Sequence, residues 1–205
     1  MNKSQRDKRI LIIPEGSIDK KYFNDASWNY LSFLIQAGSG VLINFLILFL
    51  EGSEALGVFN QLYAIYVITG QVAVWGLHDS VLKHTSQYTN SEEQDILCTA
   101  ACCCVTFTGA IGAILLFLCS NFIGDLFQSE NVQKGIYYLS PGIFFFVVNK
   151  VLIAIFNGKR QMKQFALASS IRALSILLFC AYFIYTENPY SVFGLAFTFS
   201  EILLF

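Results

Sequence analysis

Residues 140–172, SPGIFFFVVNKVLIAIFNGKRQMKQFALASSIR, decide the fold. An apolar run long enough for a membrane helix carries one lysine, Lys150, well inside it and stops at Asn157-Gly158, a pair suited to ending a helix. A short basic turn follows (Lys159, Arg160, Lys163), and then a second apolar run with Arg172 inside it. A cation at the centre of a membrane helix costs roughly 2.5–3.5 kcal/mol on insertion scales. Two of them on neighbouring helices call for a partner or for water.

The rest of the chain repeats the pattern. Of 205 residues, 55% are hydrophobic and 13% charged, and the charges gather in the first twenty-five residues and a few short loops. Between them lie apolar blocks of about the length that crosses a ~30 Å hydrocarbon core. The fold class read from this is all-α, a polytopic transmembrane helical bundle of six spans. They are expected at about Ser27–Leu50, Gly57–Leu77, Ile96–Cys119, Ile136–Asn157, Phe165–Tyr185 and from Tyr190 onward. Residues 1–26 read as a cytoplasmic N-terminal tail and 27–205 as a six-helix lobe whose last helix is still apolar at Phe205, which reads as a truncation. The stretches 51–56 and 78–95 read as loops, and 120–135 as a loop with a short helical extension.

Ten cations lie in the tail, the second loop and the fourth loop, against Lys134 alone on the other side. The positive-inside rule therefore places the N-terminus in the cytoplasm. The basic residues sit at membrane boundaries and form no nucleic-acid patch. Cys98, Cys102, Cys103, Cys104, Cys119 and Cys180 fall within expected spans without histidines or carboxylates at ligand spacing. They read as small packing residues, with S-acylation near a helix end as the alternative, and neither metal nor cofactor is expected. A stripe including Cys103, Thr106, Gly109 and Ala113 reads as a helix-packing surface.

Candidate functional residues come from the polar groups inside the spans. Ser32, Gln36, Gly40 and Asn44 recur every four residues and share one helix face. That face suits either hydrogen bonding between helices or the lining of a cavity. Lys150, Arg172 and Glu201 fall at similar depth at ~1.5 Å per residue. One reading is structural: an ion pair of Glu201 with Lys150 or Arg172, or snorkelling of both cations to the interface. The other is that both cations bind phosphate oxygens in a water-filled cavity, with Glu201 holding them or carrying a coupling ion.

The run ALGVFNQLYAIYVITGQVAVWGLHDSVLKHTSQY (Ala55 to Tyr88) resembles the second helix and following loop of the polysaccharide-exporter flippases. Those include the O-antigen flippases of the multidrug/oligosaccharidyl-lipid/polysaccharide exporter superfamily. The segment from Asn149-Lys150 through Asn157-Gly158 to Arg172 is similar to that family's fourth and fifth helices. The resemblance implies the N-terminal half of a two-lobe transporter of the cytoplasmic (inner) membrane, rather than an enzyme. It would flip a polyprenyl-pyrophosphate-linked oligosaccharide to the outer leaflet by alternating access. The substrate-binding residues would be Lys150, Arg172, Gln36 and Asn44, with Glu201 an ion-coupling or ion-pair residue. The implied partners are the glycolipid, the bilayer, a C-terminal lobe and polysaccharide polymerase or assembly proteins. Rival readings are a drug/cation antiporter, whose cavity should be acidic, a membrane-embedded transferase, which would need clustered Asp or His, and a non-transporting scaffold.

Overall fold

In the computed structural model, which describes residues 15–87 and 91–205, the described chain is helical throughout apart from short turns. The helices are α1 (Glu15–Val74), α2 (Leu77–Gln87), α3 (Ser91–Phe127), α4 (Glu130–Gly158), α5 (Met162–Tyr185) and, after a 3₁₀ turn at Tyr190–Val192, α6 (Phe193–Leu204). Four of them, α1, α3, α4 and α5, are long and apolar enough to cross a membrane, and Tyr190–Leu204 is a shorter apolar segment. The architecture therefore differs from six separate spans. The first two expected spans are one helix by hydrogen bonding, and the last is short.

The reason lies at Gly52. Its φ of 87° and ψ of −174° form a backbone conformation open to glycine and costly for other residues. Gln36 before it and Gln71 after it line one cavity. On a straight helix these two residues would stand ~50 Å apart. The chain therefore doubles back at Gly52, and α1 is a hairpin of two arms, 15–51 and 53–74. The acidic loop expected at 51–56 is compressed to that single residue because helical bonding resumes at once.

Residues 1–14 of the expected tail lie outside the described residues. From Glu15 onward the tail is already part of α1, with no break at 26/27. The expected loop at 78–95 is also corrected. Trp75 (φ 49°) and Gly76 (φ 72°) turn the chain out of α1, and the Gly76 carbonyl accepts from the N–H groups of Asp79 and Ser80 to start α2. Overall polarity hid this helix from a reading based on long apolar runs. Only a narrow stripe, Val81 and Thr85, is buried.

α4 is the central helix and packs against α1, α2, α3, α5 and α6. It is capped by the Ser129 side chain, which accepts from the Val132 N–H at 3.3 Å. One turn before its interior Pro141, the carbonyl of Tyr138 accepts the Thr198 hydroxyl at 2.6 Å, so α6 docks where proline weakens the helical bonding. Close approach here depends on glycine. A Cβ on Gly194 would lie 2.1 Å from the Gly135 carbonyl oxygen, which is backbone and unable to swing aside. We expect Gly194→Ala to destabilise the protein by about 1–3 kcal/mol through overpacking, read as an earlier transition in a detergent thermal-unfolding assay. An unshifted midpoint would mean that α6 is not seated this tightly.

The stripe on α3 packs only in part. Gly109 is buried, and a Cβ added there would lie 3.3 Å from the Val147 side chain, whereas Cys103 and Thr106 are exposed. All six cysteines are free thiols; Cys180 is buried, and Cys103, Cys104 and Cys119 face outward instead of filling the core.

Candidate anion-binding cavity

A cavity of about 420 Å³ opens between the two arms of α1 and helices α4 and α5. Gln36 and Asn44 line it from the first arm, Asn60, Tyr63 and Gln71 from the second, Lys150 from α4 and Arg172 from α5. Four of the candidate residues thus share one concavity, and Glu201 lies behind it, fully buried.

The polar face of the first arm satisfies itself. The Gln36 amide donates to the Ser32 hydroxyl (2.9 Å) and carbonyl (3.2 Å), and the Asn44 amide donates to the Gly40 carbonyl (2.8 Å). These amides bond one turn back along their own helix and border the cavity, rather than joining neighbouring helices.

Glu201 collects donors from three helices. The Tyr66 hydroxyl donates to Oε1 in a very short contact. The Asn149 amide donates to Oε2 and to the Glu201 backbone carbonyl, both at 2.8 Å. The Arg172 guanidinium approaches with Nε 2.9 Å from Oε1 and Nη2 3.3 Å from Oε2. The Nε contact is off-line for a hydrogen bond and acts as an ion pair. A buried carboxylate is tolerable only when charge and lone pairs are met this fully. Of the ion pairs considered from sequence, Arg172–Glu201 is the one formed.

Lys150 is placed differently. Among the described residues no carboxylate lies within ion-pair distance of it. Its ammonium sits over the Phe146 ring, 5.6 Å from the centroid, and the Arg172 guanidinium is 5.1 Å from the same centroid. The group holds two cations and one carboxylate, and Asp79, beyond ion-pair distance, is a second carboxylate whose field reaches Lys150. His78, at the start of α2, feels the Lys150 ammonium in turn. Its pKa is pushed below the usual histidine range, first by burial and then by the Lys150 ammonium, with Asp79 opposing.

Sequence reasoning missed Tyr66 and Phe146, which look like ordinary apolar-span aromatics, and gave no role to Asn149. Asn149 carried a usable signal, an amide beside Lys150 in an otherwise apolar run. Compared with models of known protein families, with characterised proteins and with solved structures, the chain matches none.

Proposed function

We propose that the chain is a transporter lobe that moves a polyprenyl-pyrophosphate-linked oligosaccharide from the cytoplasmic to the outer leaflet of a cytoplasmic membrane. The observation that carries this reading is the Lys150 ammonium, which borders a cavity lined with amides and has no carboxylate partner among the described residues. A cation without an ion-pair partner in a low-dielectric wall attracts an anionic head group, and lysine serves phosphate as a point charge. Amides and hydroxyls around it, including Gln36, Asn44, Asn60 and Gln71, suit the hydroxyls of a sugar. In this reading the two arms of α1 cross separately, α3, α4 and α5 cross once each, and Tyr190–Leu204 enters as a sixth element. The excess of Lys and Arg at the tail and the α4–α5 turn then sets the N-terminus in the cytoplasm. A second lobe would close the open side of the cavity, and rocking of the two lobes would expose it to each leaflet in turn.

A cation antiporter of the same superfamily is disfavoured by charge. Glu201, the carboxylate behind the cavity, is already engaged by Arg172, Tyr66 and Asn149. The proposal is tested in phospholipid vesicles carrying the protein together with its second lobe and a fluorescent short-chain polyprenyl-pyrophosphate sugar. Protein should speed the appearance of the lipid at the opposite leaflet, scored by a membrane-impermeant quencher. Equal rates with and without protein would overturn the proposal.

A further inference from the structure

The two cations share a support that neither supplies for itself. Phe146 is one helical turn before Lys150 on α4, so both lie on the same face. Its ring is buried, and it stands 4.6 Å from the Tyr66 ring in an edge-on arrangement. It also fills the space that a side chain at position 70 would need. A Cβ on Gly70 would lie 2.1 Å from Phe146 Cε1 and 2.4 Å from Cδ1. Gly70 is therefore the notch, Tyr66 the wall, and the Phe146 ring is fixed between them.

We propose that Phe146 is a positioning residue that holds the Lys150 ammonium at the cavity beside Arg172, where it can meet a phosphate. Like charges repel, and a lysine about 12 Å from the Gly158 end of its helix has an alternative, which is to extend along the helix toward the polar boundary. The face of an aromatic ring offsets both tendencies, because its negative quadrupole attracts each cation without neutralising it. A carboxylate in the same place would cancel the charge, as Glu201 does for Arg172. A ring keeps the charge available. This role deepens the anion-binding reading of the cavity and rests on it. Phe146 itself need not touch the ligand.

The test uses the full chain in detergent with geranyl pyrophosphate as probe and uncharged geraniol as its control. The wild-type protein is expected to prefer the pyrophosphate. Phe146→Leu should lower that preference by about tenfold while geraniol binding stays close to wild type. Phe146→Tyr, which keeps a ring, should restore most of it. If the leucine variant does not fold, Phe146→Met fills the same space with a flexible apolar chain and serves in its place. Undiminished preference in Phe146→Leu or Phe146→Met, alongside its loss in Lys150→Ala, would overturn the role of Phe146 and leave the anion site intact. No preference in the wild type would overturn the anion site itself, and this proposal with it.

Discussion

Replacing Glu201 by alanine is expected to destabilise the protein by about 3–5 kcal/mol, because it strips the counter-charge from a half-buried arginine. The same change leaves the Tyr66 hydroxyl and one Asn149 amide hydrogen without their acceptor, each an additional cost of about 1–3 kcal/mol if unrelieved. These terms overlap and are not to be summed. Glu201→Gln should fall in between, since a neutral amide oxygen still accepts from Tyr66. The double replacement Arg172→Met with Glu201→Leu should recover much of the loss, because an apolar pair leaves no orphaned charge. The measurement is unfolding in mixed micelles with rising dodecyl sulfate, run as a double-mutant cycle. A Glu201→Ala midpoint indistinguishable from wild type would show that the four-residue knot is not formed in the folded protein. The knot joins α1, α4, α5 and α6, so its loss should loosen the attachment of α6 most.

The second large effect concerns ligand and leaves stability alone. Lys150→Ala is expected to weaken geranyl pyrophosphate binding by about 10- to 150-fold, the range for losing one contact to a charged group. Insertion and unfolding should change little, because Lys150 has no carboxylate partner among the described residues for its loss to leave behind. Arg172→Ala should behave otherwise. It leaves the Glu201 carboxylate buried without its cation, so a stability loss accompanies any loss of binding. From sequence the two cations look equivalent; the geometry separates them into a free charge and a paired one. A Lys150→Ala protein that binds the pyrophosphate as tightly as wild type would remove this residue from recognition.

Much of the bundle is legible in the chain because membrane helices announce themselves by length and hydropathy. The α4–α5 pair is the clearest case: Asn157-Gly158 and the basic run after it mark the turn, and the helices end at Gly158 and restart at Met162. Where length and polarity mislead, the reading fails. Gly52 reads as part of a loop because Glu51 and Glu54 flank it, yet one glycine in a rare conformation makes the whole reversal. α2 is lost for the opposite reason, since its buried stripe is two residues wide and its other faces are polar. The equal depth of Lys150, Arg172 and Glu201 follows from counting along helices, and so does their candidacy. Which cation Glu201 takes does not follow from counting. It depends on how α5 and α6 are rotated about their axes, and packing at Gly142, Gly194 and Thr198 fixes the α6 side of that. The part played by Phe146 is likewise invisible in sequence, because nothing in FFFVVNK distinguishes the ring that meets Gly70 from its neighbours.

The central claim is that Lys150 presents an ammonium without an ion-pair partner to the cavity while Arg172 is held by Glu201. An experimental structure of the full chain in a lipid nanodisc with geranyl pyrophosphate tests it most directly. The account predicts phosphate density within about 3 Å of Lys150 Nζ, inside the space between the α1 hairpin, α4 and α5, with Arg172 still on Glu201. A Lys150 side chain extended along α4 toward the membrane surface, with the pyrophosphate bound elsewhere or not at all, would contradict it.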